Sequence, residues 1–132
     1  MHRFTLIDSQ ILLGLAGADK GADITCPELI ASCAAVGPSI PTREEFATAF
    51  NKFLYTSIIN LDGDKIRFAD FGREIIRKAR RNANAGIEPG ELMRLVLKEL
   101  SGYKLKSMCN RNVWSQEQYQ QAVEAQQNKF KP

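Results

Sequence analysis

This sequence predicts a mostly helical α+β domain, and three observations carry that prediction. Four stretches have the spacing of helix-capping boxes: Thr5-Leu-Ile-Asp8, Thr25-Cys-Pro-Glu28, Thr42-Arg-Glu-Glu45 and Ser115-Gln-Glu-Gln118. In each, a hydroxyl can accept from the third helical N–H while the acid or amide reaches back. Most of the apolar residues that follow recur at helical spacing. One segment breaks the pattern: Ile58-Ile59-Asn60-Leu61 and Ile66-Arg67-Phe68 read as strands around the turn Asp62-Gly63-Asp64-Lys65.

The elements follow in order. A first helix is expected from Thr5 or Asp8 to Ala16, with Ile7, Ile11, Leu12 and Leu15 on one face. "GADKGAD" then turns the chain, and Ile24 is expected in a very short strand. The second helix starts at Thr25 with Pro27 in its first turn, where no N–H donor is needed, and stops before Gly37-Pro38. The third, 42–56, is the best defined: Phe46, Phe50, Phe53 and Leu54 form one apolar stripe, leaving Arg43, Glu44, Ala47, Thr48, Asn51, Lys52 and Tyr55 mainly outside. After the hairpin, Phe71, Ile75, Ile76 and Ala79 mark a fourth helix, with Asp70 as its expected N-cap and an end near Asn84. "NANAGIEPG" connects to a fifth, where Met93, Val96, Leu97 and Leu100 repeat and Leu92 and Leu95 widen the face. "SGYKLKSMCNRNVW" is ambiguous between extended chain and turn. A last, largely polar helix runs from 115 to about 129, with Tyr119, Ala122, Val123 and Phe130 as its apolar members.

Bulk properties narrow the function classes. The 132 residues suit one domain with a real core, divided into a module over 1–84 and a C-terminal helical extension over 85–132. No run reaches the roughly 18 apolar residues that would cross a bilayer. "ILLGLAGA" follows Asp8, Ser9 and Gln10, which disfavours a cleaved signal. Three cysteines, Cys26, Cys33 and Cys109, argue against a disulfide framework, so reduced thiols in a cytoplasmic protein are expected. The one histidine, His2, sits at the terminus, and the cysteines lack the paired spacing of a zinc site. Asp62-Gly-Asp64 lacks the following ligands of a calcium loop. No enzyme activity, metal or cofactor is expected.

The central segment carries a resemblance. "ITCPELIA" resembles the strand leading into helix 2 of winged helix-turn-helix domains. "FNKFLYTSII…DGDKIRFADFGREII" resembles the run of that superfamily in which a Leu-x-x-Gly-Leu-Ile segment leads through a wing to Leu-Thr-x-x-Gly-Arg. Leu54, Ser57, Ile58 and Ile59 occupy the first part, and Phe68, Ala69, Gly72 and Arg73 the second. Covering about residues 5–81, the resemblance implies a three-helix core with a β-hairpin wing and additional C-terminal helices. Ser57 stands where the family usually has a glycine, and Ala69 where it often has a capping threonine.

The resemblance also implies binding, either of DNA or of protein. A DNA reader would use the third helix and the wing, with Arg43, Thr48, Asn51, Lys52, Lys65 and Arg67 as contacts. Charge opposes that role. Residues 1–72 carry six basic against nine acidic residues, a net of −3, whereas 73–132 carry twelve against six, a net of +6. Phosphate contacts supply much of non-specific affinity, so the expected DNA-facing half is the wrong sign. A protein partner fits better, as in superfamily members that act as immunity or antitoxin proteins or as regulatory adaptors. Its expected contacts are an acidic face of Glu44, Glu45, Tyr55, Asp62 and Asp64. A basic stripe, Arg73, Arg77, Arg80 and Arg81, lies on one face of the fourth helix, extendable by Lys104, Lys106 and Arg111. Leu92, Leu95 and Leu97 are the residues a homodimer through the C-terminal helices would use.

Overall fold

A computed structural model describes residues 3–37, 39–84, 86–103, 105 and 113–128. Expectations placed on His2, Pro38, Lys104, Lys106, Cys109, Arg111 and Phe130 lie outside the described residues. The protein is mostly helical with one small antiparallel sheet: α1 (Leu6–Ala18), α2 (Cys26–Val36), α3 (Arg43–Tyr55), β1 (Ile59–Asp62), β2 (Lys65–Phe68), α4 (Asp70–Arg81), α5 (Pro89–Leu100) and α6 (Gln116–Asn128). Among these, no helix is long and apolar enough to cross a membrane.

All four capping boxes form. Thr5, Thr25 and Thr42 each accept from the N–H three residues on, and Asp8, Glu28 and Glu45 each accept from the cap N–H. Ser115 and Gln118 exchange the same two bonds, each at 3.0 Å. These satisfy N–H groups that would otherwise stay unpaired at the helix starts. The start of α4 departs from expectation. Ala69, not Asp70, holds the N-cap position, in an extended conformation without a side-chain cap. Its N–H is drawn to the Ile58 carbonyl at 2.9 Å and its own carbonyl accepts from Arg73, so the helix begins at Asp70, one residue earlier than expected.

Helix α1 is the centre of the molecule, with α2, α3, α4 and α5 all packed against it. That position explains why residues 8–15 are all buried and why its pattern is not one-sided. Ile7 departs from its expected place in the core, lying 37% exposed before the packed turns begin. A Cβ on Gly14 would strike Cys33, so the missing side chain lets α1 and α2 approach closely. Gln10, 4% exposed, donates to the carbonyls of Cys33 at 3.0 Å and Ser39 at 2.8 Å, fixing the chain as it leaves α2.

The hairpin pairs Ile59 with Phe68 through Asp62 with Lys65, which leaves a two-residue turn rather than the expected four. Gly63 adopts φ +62° and Asp64 an ordinary negative φ, the glycine-first arrangement that suits the twist of a tight hairpin. Ile24, expected in a very short strand, forms only an isolated bridge to the hairpin, bonding Ile66 in both directions at 2.7 and 2.9 Å. The C-terminal helices pack on the same core: α5 against α1 and α4, and α6 against α2. Leu92, Leu95 and Leu97 are partly buried in that packing.

Candidate partner-binding faces

Helix α3 turns Phe46, Ala49, Phe50 and Phe53 into the core, and Ala47, expected outside, is 5% exposed. Its flanks are also covered. On one side Trp114, 2% exposed, packs 5.0 Å from the Phe46 ring and 5.2 Å from Phe50, centroid to centroid. On the other, Phe4 stacks on Phe53 at 6.1 Å. What remains open is a narrow stripe at i, i+4, i+7 and i+11: Glu44, Thr48, Asn51 and Tyr55. Glu44 is exposed, Thr48 and Asn51 are half-buried, and Tyr55 is 46% exposed.

Three of the cations expected there are engaged within the chain. Lys52 does not lie outside the helix: it is 5% exposed, its Nζ donating to Asp8 at 2.7 Å and to the Arg3 carbonyl at 2.6 Å. The reason is geometric. Lys52 follows Thr48 by one turn on the side facing the start of α1, where Asp8, already bound to the Thr5 N–H, is buried and needs a counter-charge. Arg43 donates from Nε to the Trp114 carbonyl at 2.8 Å, tying α3 to the segment before α6. Arg67 pairs with Asp23 at 3.1 Å.

The hairpin tip is equally engaged. Trp114 Nε1 donates to the Asp64 carbonyl at 3.2 Å, and Gln118 Nε2 to the Asp64 carboxylate at 2.7 Å. Asp64 and Lys65 therefore help line a hollow shared with Cys26 and Gln118, under α6. Asp62 is exposed opposite Lys65 in the strand register. Glu45 is occupied by its capping bond to the Thr42 N–H at 2.8 Å. Tyr119, whose hydroxyl donates to the Pro41 carbonyl, has its pKa raised by burial first and by the Glu45 charge second. Glu44 and Glu45 line a second hollow of about 500 Å³ with Thr5, Ile7, Thr48 and Lys52. The five expected acidic-face residues thus fall at different places: the start of α3, its C-terminal end and the hairpin tip.

An exposed apolar side chain, Ile7, lies near the first of these places. Leu6 and Ile7, 42% and 37% exposed, belong to the first turn of α1, and Ile7 lines the same hollow as Glu44 and Thr48. Sequence periodicity assigned Ile7 to the core and so missed it. Trp114 was missed as well, although an apolar residue directly before a capping box is a recognisable staple position.

The basic stripe of α4 divides in two. Arg73 is fixed, bonding Asp19 at 2.6 and 3.0 Å and Asp70 at 2.7 Å, with its guanidinium 5.9 Å from the Phe68 ring centre. The Asp19 carboxyl is accordingly held below its ordinary pKa, by Arg73 first and the Gly21 N–H after it. Arg77 and Arg81 share Glu74, at 2.7 and 3.5 Å, and remain 66% and 63% exposed. Arg80 is exposed and forms no ion pair among the described residues.

Cys26 and Cys33 are free and buried, and burial pushes both thiols up to about 12. Among the described residues, no three His, Cys, Asp or Glu side chains converge as metal ligands would. No family model, curated protein or solved structure matches this chain.

Proposed function

We propose that this protein is a non-enzymatic, protein-binding module built on a winged-helix arrangement, engaging its partner through the open side of α3 and the first turn of α1. The order helix, short strand, helix, helix, hairpin, helix, with Ile24 bonded to the hairpin, supports the winged-helix reading. One observation carries the functional reading. The cations that would hold phosphates from α3, Lys52 and Arg43, are committed to Asp8, Arg3 and Trp114 of the same chain. What α3 offers instead is Glu44, Thr48, Asn51 and Tyr55 beside Leu6 and Ile7. An exposed phenol at one end of the stripe and Ile7 beside Glu44 and Thr48 at the other suit a protein contact, which favours aromatic and apolar anchors among polar groups.

A DNA regulator would instead need α3 in the major groove and the hairpin against the backbone. Helix α6 against the hairpin tip opposes that placement, because Gln118 and Trp114 already occupy Asp64. The reading is tested by affinity purification from the source cells with wild type, Tyr55→Ala and Ile7→Ser/Glu44→Lys, alongside titration with random duplex DNA. A specific protein retained by wild type and lost from both variants is the expected result. Salt-sensitive DNA binding that disappears in Arg43→Gln/Lys65→Gln would overturn the reading in favour of DNA regulation.

A further inference from the structure

The C-terminal half of α4 forms, with the end of α1, a groove that the α3 face does not explain. It has a volume of about 460 Å³, and its lining includes the apolar Ala16, Phe68 and Ile76 and the cations Arg77, Arg80 and Arg81. That volume lies within the range of roughly 300–1,000 Å³ common to ligand pockets. The Asp19–Arg73 pair also lines it, already bonded at 2.6 and 3.0 Å.

Helix electrostatics account for some of this charge, since cations near a helix C-terminus complement its dipole. They do not account for its direction. Lys78 belongs to the same last turn, yet it is the three arginines that line the groove. Their carboxylate supply is also short. Glu74 alone serves Arg77 and Arg81, and Arg80 has no ion partner among the described residues. Exposed pairs of this kind contribute little to stability, so the guanidinium groups can exchange Glu74 for another acid at small cost. A planar guanidinium presents paired N–H donors matched to a carboxylate.

We infer that this groove is a docking site for an acidic peptide segment carrying a large apolar side chain. The arginines receive its carboxylates, and the apolar side chain rests on Ala16 and the arginine alkyl stems, over the narrow edges that Phe68 and Ile76, 3% and 6% exposed, leave open. The floor separates this occupant from nucleic acid. A duplex would meet the cationic rim and leave the apolar floor unfilled, whereas a peptide places a side chain on it. The site is distinct from the α3 face, so the protein has two contact surfaces on different helices.

The test is a fluorescence-anisotropy titration with a short labelled peptide of glutamates around one phenylalanine. The comparison peptides replace the phenylalanine with serine or the glutamates with lysines. The phenylalanine-containing acidic peptide is expected to bind wild type at least about tenfold more tightly than the serine version, and the lysine version not at all. Arg77→Gln/Arg80→Gln/Arg81→Gln, its fold checked by circular dichroism, is expected to weaken binding at least about tenfold. Tyr55→Ala is expected to leave it unchanged, which separates this site from the α3 face. Equal affinity for the phenylalanine and serine peptides, undiminished binding by the triple variant, or more effective competition by random duplex DNA at the same salt would overturn the inference.

Discussion

Helices α3 and α4 both carry cations that a sequence reading places on the surface, yet the two helices use them in opposite ways. On α3, Lys52 is buried against Asp8 and Arg43 bonds the Trp114 carbonyl. On α4, Arg77 and Arg81 are mostly exposed and share one glutamate, while Arg80 forms no ion pair among the described residues. The difference is set by what each helix packs against. Both flanks of α3 are covered, by α1 and by the Trp114 segment, whereas the end of α4 faces a groove. Net charge of a segment therefore says little about its partners until the cations satisfied within the chain are subtracted.

The strongest way to break the comparison is to remove what covers α3. Trp114→Ala is expected to destabilise the protein by about 4 kcal/mol, because the indole fills the space against Phe46 and Phe50. Urea unfolding measures this. The same variant loosens the contact that holds Arg43, but it is expected to gain no DNA affinity, since Lys52 stays paired with Asp8.

A smaller effect lies at the end of α3. Ser57 adopts φ +62°, the left-handed conformation that a side chain disfavours, at the position where the sequence already departs from an expected glycine. Ser57→Gly is expected to raise stability by about 1 kcal/mol in urea unfolding. An unchanged midpoint would mean that the backbone there relaxes without strain.

Arg73 sharpens the comparison from within α4, because it behaves like the cations of α3. Its partner Asp19 has a depressed pKa, so the stability it contributes is complete above the unfolded carboxyl value of about 4 and is lost as pH falls through the lower folded value. Asp19→Asn is expected to lower stability by about 0.5 kcal/mol at pH 7. It should also flatten the decline of the urea midpoint below about pH 4. An identical acid profile in wild type and variant would remove Asp19 from the account.

The fold was more legible in the sequence than the site, for a physical reason. Capping boxes and the turn glycine act over three or four residues, and all four boxes and the hairpin appear where the spacing puts them. The turn length and the start of α4 were misread by one or two residues. Both depend on pairing partners elsewhere in the chain, Lys65 for Asp62 and Ile58 for Ala69. Lys52 was misread because its counter-charge lies 44 residues away on α1, which no local periodicity encodes. Ile7 fits the helical stripe but lies one residue before the buried run that starts at Asp8.

Lys52 on α3 is thus assigned a structural role, and Arg77, Arg80 and Arg81 on α4 a role toward partners. Urea unfolding of Lys52→Met beside Arg77→Gln/Arg80→Gln/Arg81→Gln tests this assignment directly. Lys52→Met is expected to lose about 3–5 kcal/mol, because it leaves Asp8 buried without its counter-charge. The triple variant is expected to lose no more than about 1 kcal/mol. Equal losses, or a larger loss in the triple variant, would contradict the assignment.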